Sequence, residues 1–219
     1  MYEYHKIETI YCRDESGTRK LLPGIWRDPT VCYLSELDWE WTEKIDGTNV
    51  RVIWDGYKVE FRGRTDKADL PKHLLDRLTE IFGGDKAEEL FEQTFGERTA
   101  VLYGEGYGKK IQKDGEKYIA AGCDFILFDV SVGDVWFSRG GMGMTAQLFG
   151  IEAVPVIGTG PIRDAIDFVK AHPQSRIGTQ EHEMEGLVCR PMLELKDKRG
   201  NRVIVKIKYK DFKEDENEN

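Results

Sequence analysis

Hydrophobic patterning narrows the folds open to this chain more than any other feature. Short strand-like runs recur along it, and the few helical segments never fall into a regular strand–helix–strand order. WTEKIDGTNVRVIWDGYKVEFRGRT reads as a strand, a tight Asp55-Gly56 turn and a second strand. RTAVLYGEGYG and CDFILFDVSV are apolar, aromatic runs bounded by glycine and polar residues, the pattern of buried strands; MEGLVCRP and RVIVKIKYK read as the last two. Against these stand three helical patterns. PKHLLDRLTEIF (71–82) opens on a proline with apolar residues at helical spacing, KAEELFEQTF (86–95) follows, and PIRDAIDFVKAH (161–172) is bracketed by Pro161 and Pro173. This order predicts an α+β fold, with mainly antiparallel sheets flanked by helices.

The 219 residues suffice for one domain with a real core, expected over residues 1–212, with an acidic tail (213–219) expected to be disordered. No apolar run is long enough for a bilayer, and MYEYHKIETIYCRDE lacks the basic-then-apolar order of a secretion signal, so a cytoplasmic protein is expected. Cys12, Cys32, Cys123 and Cys189 are scattered without a C-x-x-C pair, as are His5, His73, His172 and His182. That spacing argues against a zinc site or a disulfide framework and predicts buried or half-buried thiols. A net charge of −8 excludes a protein that coats nucleic acid through bulk charge. Half of that charge lies in DFKEDENEN, so any nucleic-acid contact must use a local basic surface.

Four clusters carry possible chemistry. In Glu43-Lys44-Ile45-Asp46-Gly47-Thr48-Asn49, strand alternation would put Lys44 and Asp46 on one face, as a surface ion pair or as a reactive amine beside an acid; Gly47 permits close approach of a ligand or backbone. In Val203-Ile204-Val205-Lys206-Ile207-Lys208-Tyr209, the residues Val203, Val205, Ile207 and Tyr209 form a core face, while Lys206 and Lys208 share the other. Two ammonium groups about 7 Å apart could meet solvent or both touch one triphosphate. Tyr103-Gly104-Glu105-Gly106 and Glu185-Gly186-Leu187-Val188 each place a carboxylate beside an apolar run, either as a turn residue or as a ligand for a ribose hydroxyl or a magnesium ion. Phe125-Ile126-Leu127-Phe128-Asp129-Val130 reads mainly as core, although an aromatic at a strand end can hold a nucleobase.

Taken in order, these clusters resemble the motifs of the covalent nucleotidyltransferases, which comprise ATP- and NAD-dependent ligases and mRNA capping enzymes. Lys44-Ile45-Asp46-Gly47 matches the K-x-D-G nucleophile motif; Arg62-Gly63-Arg64-Thr65 is similar to the arginine motif after the first hairpin. Tyr103-Gly104-Glu105, Phe125 through Val130, Glu185-Gly186-Leu187-Val188 and Lys206-Ile207-Lys208 follow as the later motifs. The nearest likeness is to the bacteriophage RNA ligase 2 type, through residues 43–49, Gly104-Glu105 with Ile111-Gln112-Lys113, residues 185–191, and Gly200-Asn201-Arg202-Val203 leading into the paired lysines. Its prototype has histidine where Asp46 stands. The chain stops soon after the last motif, so a catalytic domain without a separate C-terminal domain is expected.

The resemblance implies the ligase adenylation fold and a three-step reaction on RNA 5′-phosphate and 3′-hydroxyl ends, using ATP and Mg²⁺ with Mn²⁺ as a substitute. It implies that Lys44 attacks the α-phosphate and becomes lysyl–AMP. A free lysine, with a pKa near 10.4, needs about 4–5 kcal/mol to be neutral at pH 7, and Lys206, Lys208 and bound Mg²⁺ are the cations that lower this cost. Phe128 would stack on adenine, Glu105 hold the ribose, Glu185 (with Glu105) bind metal, and Arg64 contact phosphate or the incoming 5′ end. Asp46 would position the leaving group, metal or acceptor, while Glu43 and Asn49 shape the nucleotide pocket. A DNA ligase or capping-type guanylyltransferase on the same scaffold, or a non-catalytic RNA-end-binding module, are the alternatives. The compartment implied is the cytoplasm, the host's if the chain is phage-encoded.

Overall fold

The computed structural model describes residues 3–213; the tail from 214 onward, where disorder was expected, lies outside the described residues. In chain order the elements are β1 (Glu8–Thr9), β2 (Tyr11–Arg13), β3 (Leu21–Trp26), α1 (Pro29–Leu34), β4 (Trp39–Glu43), β5 (Thr48–Trp54), β6 (Val59–Arg62), α2 (Lys72–Phe82), α3 (Asp85–Phe95) and β7 (Ala100–Gly108). There follow β8 (Cys123–Val132), β9 (Val135–Trp136), α4 (Arg139–Phe149), β10 (Glu152–Ala153), β11 (Val156–Gly160), α5 (Ile162–Lys170), β12 (Gly186–Pro191) and β13 (Val205–Lys208). The chain divides into two compact units. Among the described residues, one holds Asp46–Val154 with Ile177–Gln180 and Glu3 and Tyr4; the other holds His5–Ile45, Pro155–Arg176 and residues 181–213.

The first unit is built on a sheet ordered β10-β8-β7-β5-β6, with β9 paired to β8. Val50, Val52 and Trp54 of β5 alternate into its core, where Leu74, Leu78 and Phe82 of α2 and Phe91 and Phe95 of α3 meet them. Those helix residues recur at the four-residue spacing that puts one stripe against a sheet. Aromatic rings interlock here: Phe82 meets Phe125 edge-on at 5.3 Å, and Phe91 and Phe149 lie 4.5 Å apart. The second unit carries a five-stranded sheet ordered β1-β13-β12-β4-β11 and the small β2-β3 ladder. Val203, Val205, Ile207 and Tyr209 face its core as alternation required, with Trp39, Trp41 and Leu187 from neighbouring strands and Ile162, Ala165, Ile166 and Val169 from α5.

Only β1–β13 and β10–β8 are parallel among the described pairings, so the expected α+β class with mainly antiparallel sheets is what forms. The three expected helices form within a residue or two of the expected bounds; the expected hairpin forms as β5 and β6 about the Asp55-Gly56 turn, but its first strand is interrupted at residues 44–47, so that Trp41–Glu43 belong to β4. Two helices went unread. RGGMGMTAQLF has poor helix propensity, yet α4 forms because Ser138 caps it by accepting from the Gly141 amide, Gly150 ends it in left-handed geometry, and Met142 and Ala146 are buried. The short α1 starts on Asp28, whose side chain accepts from the Thr30 amide. Cys189 is buried and Cys12 and Cys123 are half-buried, but Cys32 is exposed, contrary to expectation, because α1 buries only Val31. Among the described residues, no helix is long and apolar enough to cross a membrane.

Candidate active site

Lys44 is not on a strand. β4 ends at Glu43, and residues 44–47 form the link that carries the chain from the second unit into β5 of the first. The expectation that strand alternation sets Lys44 beside Asp46 therefore fails: beyond the ladder, side-chain direction is no longer fixed by a period of two. What orders Lys44 is the neighbouring strand, since its amide donates to the Gly186 carbonyl at 2.9 Å.

In the second unit, β12 lies between β4 and β13 and is antiparallel to both. Gly186 pairs with Lys208 and Val188 with Lys206, so the strand that begins at Gly186 brings Lys44 on one side and the paired lysines on the other. Glu185 stands at the head of β12. Its Oε2 accepts from Lys44 Nζ at 2.6 Å and its Oε1 from Lys208 Nζ at 2.7 Å. All three side chains are at most 20% exposed, which strengthens the ion pairs relative to surface ones. Lys206 lies alongside: burial, then the ammonium groups of Lys208 and Lys44, with Lys6 adding to them and Glu8 opposing, push its pKa down to about 8. A basic cluster has thus been assembled from residues 44, 206 and 208, with one carboxylate shared by two of its amines.

Gly186 makes this close packing possible. Its φ is +150°, and a Cβ there would sit 2.0 Å from the Ile207 carbonyl oxygen. Gly186→Ala is expected to cost about 3 kcal/mol through overpacking of the β12–β13 ladder, read as a lower urea midpoint at unchanged m-value.

Glu43 takes another direction. Its carboxylate accepts from the Ser175 hydroxyl and, at 2.9 Å, from the Arg176 amide, and burial raises its pKa despite those two bonds. Neither Ser175 nor Arg176 had been singled out; a polar serine–arginine pair in a loop has no sequence signature.

The first unit carries the other predicted residues. Gly47 lies against β7: a Cβ on it would come within 2.3 Å of the Gly106 carbonyl and 2.7 Å of Glu105 Cγ, and its own carbonyl accepts from Gln112 Nε2 at 2.8 Å. The Asp46 amide donates to the Tyr118 hydroxyl at 3.3 Å. Asn49 on β5 is paired across the ladder with Glu105 on β7, and the buried Asn49 Oδ1 has no hydrogen-bond partner among the described residues. Phe128 occupies a β-bulge, since Tyr103 pairs with Asp129 whereas Gly104 pairs with Leu127. The extra residue switches parity, so that Phe125 and Leu127 before it and Val130 after it all face the same core while Phe128 stays half-buried. Arg64 is exposed in the turn that follows β6. Among the described residues, no cluster of three or more His, Cys, Asp or Glu side chains is placed to hold a metal ion.

Solved structures of Naegleria gruberi RNA ligase share this fold. A lysine-to-alanine variant with ATP and Mn aligns at 18% identity over 87% of this chain and 54% of that one, with a TM-score of 0.62. An arginine-to-alanine variant with ATP and Mn aligns at 17% identity over 98% and 58%, with a TM-score of 0.65, and the ligase with PPi at 18% over 99% and 64%, with 0.60. The chain spans little more than half the length of the first two of these structures. Comparison with curated protein sequences finds no match. The profile of the family described as RNA ligase matches residues 37–208, a stretch that begins just before β4, ends on Lys208 and so contains Lys44, Glu185 and both paired lysines. By that match, over most of its length, the chain belongs to the RNA ligase family.

Proposed function

We propose that the chain is an ATP-dependent RNA ligase of the RNA ligase 2 type, active in the cytoplasm, and that residues 1–212 act as its nucleotidyltransferase domain. The observation that carries this reading is the convergence of Lys44, Glu185, Lys206 and Lys208 in one unit, where one carboxylate bridges the amines of residues 44 and 208. A binding module needs cations for phosphate, but not an amine held at the head of a strand beside two more.

In the first step Lys44 Nζ attacks the α-phosphorus of ATP. The N–P bond forms, the bond to the bridging oxygen breaks, and pyrophosphate leaves as the amine loses its proton. Lys206 and Lys208 would neutralise phosphate charge in that transition state. While Lys44 is an ammonium paired with Glu185 it has no lone pair to attack with, so the pair has to open first. Glu185 is the carboxylate of the second unit that would hold Mg²⁺, and Glu105 is assigned a metal separately, in the first. A lone carboxylate suits this ion, which keeps waters and takes further oxygens from substrate phosphates; when bound it supplies positive charge against the triphosphate. In the second step a 5′-phosphate oxygen attacks the AMP phosphorus and Lys44 leaves. In the third, the 3′-hydroxyl attacks the capped 5′-phosphorus and AMP leaves.

For the remaining residues, the unpartnered Oδ1 of Asn49 supports a role in accepting a hydrogen bond from the nucleotide, because buried polar atoms are rarely left unsatisfied. The bulge at Phe128 supports adenine stacking, since bulges re-aim side chains away from the ladder. We assign Glu105 to the ribose, Arg64 to the 5′-phosphate of the RNA, Asp46 to positioning of leaving group or acceptor, and Glu43 to shaping the nucleotide pocket through Ser175 and Arg176.

Intact mass after incubation with ATP and Mg²⁺ tests the reading: a gain of one adenylyl group is expected, and a mass that never changes refutes it. GTP in place of ATP, and nicked DNA in place of RNA, distinguish the guanylyltransferase and DNA ligase alternatives. The depressed Lys206 adds a pH signature. Polyphosphate raises the pKa of a neighbouring ammonium, so binding of a non-hydrolysable ATP analogue is expected to take up protons. Its affinity should be flat below about pH 7 and decline as pH rises through about 8. Titration calorimetry in buffers of different ionisation heat reads this, and Lys206→Met should remove it.

A further inference from the structure

Arg51 has no part in the chemistry above, yet it is the one arginine in β5 and is fully buried at 0% exposure. Strand alternation turns Val50, Val52 and Trp54 to the core of the first unit, so Arg51 lies on the opposite face, directly across from Arg62 at the end of β6. Its Nε donates to the Gly63 carbonyl at 2.7 Å and its Nη2 to Asp66 Oδ1 at 2.8 Å. The two acceptors stand on either side of Arg64. A buried guanidinium is costly, and an apolar side chain of similar size would usually serve stability as well or better.

The turn it holds has little else to fix it. Every residue from Arg64 through Asp69 is exposed, so none of their side chains anchors the turn by burial. Gly63 is buried and turns back so tightly that a Cβ would come within 2.8 Å of the Ala68 carbonyl oxygen, while the Ala68 amide donates to Thr65 at 3.1 Å and the Asp66 amide to Glu3 at 3.4 Å. A planar fork with fixed donor directions suits two acceptors three residues apart, as a lysine would not.

We infer that Arg51 is a positioning residue for Arg64, its buried guanidinium clamping Gly63 and Asp66 so that the exposed turn presents Arg64 in one orientation to the 5′-phosphate of the RNA. The role given to Arg64 rests on the proposed ligase reading; the clamp itself does not. A misplacement of about 1 Å at a reacting group can cost about 100-fold, which sets the scale expected of its loss.

The test uses the full chain in separated steps: label uptake from ATP, then single-turnover AMP transfer from the adenylated enzyme to a 5′-phosphorylated RNA. Arg51→Met is expected to slow AMP transfer about 10- to 100-fold while label uptake stays within about 3-fold, and Arg51→Lys to recover only part of the loss. Asp66→Asn acts from the exposed end of the clamp without emptying the buried site. It should slow AMP transfer about 3- to 10-fold with an unchanged melting temperature. In an Arg64→Ala background, Arg51→Met should add nothing further, because both act through one group. Additive effects, or equal loss in both steps for Asp66→Asn, overturn the inference. Hydrogen exchange judges the clamp independently of activity: residues 63–69 should exchange faster in Asp66→Asn, and unchanged exchange sinks it even if the chain takes no label from ATP and the ligase reading has itself failed.

Discussion

Lys44→Ala is expected to abolish covalent labelling by α-labelled ATP, a loss of at least about 1,000-fold, because it removes the amine assigned to the attack and leaves Lys206 and Lys208 in their charge-neutralising roles. The fold should survive. Lys44 lies past the end of β4 and its backbone amide, which holds it to Gly186, is untouched by the change. Glu185 keeps its bond to Lys208, so the carboxylate is not orphaned. Stability is therefore expected to move by less than about 1 kcal/mol. Lys206 should titrate higher than about 8 in this variant, since the Lys44 ammonium is one of the charges that depress it. Lys44→Arg supplies the control that separates nucleophile from charge: it keeps a cation beside Glu185 but should label no better than alanine. Undiminished labelling in either variant removes Lys44 from the reaction.

Glu185→Ala is the second large effect, and it acts in two ways. Without the carboxylate, Lys44 and Lys208 lose the counter-ion they share and lie beside the Lys206 amine with no compensating charge from it. Breaking a partly buried bond of this kind costs about 1–3 kcal/mol. That penalty should shrink as the pH is raised through about 8, because Lys206 gives up its proton there and the repulsion drops. Adenylation should fall by about 100-fold or more, through the loss of the group proposed to hold the divalent cation against the triphosphate. Glu185→Gln keeps a polar acceptor without charge and separates the two: less destabilisation than alanine, with an equal loss of labelling. Near-normal adenylation in Glu185→Gln would show that the carboxylate is only structural and would move the metal assignment elsewhere.

The helices α2, α3 and α5 and the alternation of Val203, Val205, Ile207 and Tyr209 were legible because periodicity is a local property, set by which side chains face a common core. Helix α4 was not. Its glycines argue against a helix, and only the caps at Ser138 and Gly150 and the burial of Met142 and Ala146 outweigh them. The bulge at Phe128 was equally hidden, since a two-against-one pairing depends on the register of β7 against β8 and leaves no mark in either run alone. The same holds for Glu43, whose partners Ser175 and Arg176 lie more than 130 residues away.

The order of the residues along the chain was enough to place Lys44, Glu185, Lys206 and Lys208 in one family and to separate the core face of the final strand from its lysine face. Tertiary structure alone decided that Lys44 leaves its strand, and that Glu185, 141 residues further on, is the group that pairs with it and with Lys208. The reason is physical. A strand's side-chain period is dictated by its own backbone, but which strands become neighbours is settled by long-range burial, and here burial sets β12 between β4 and β13.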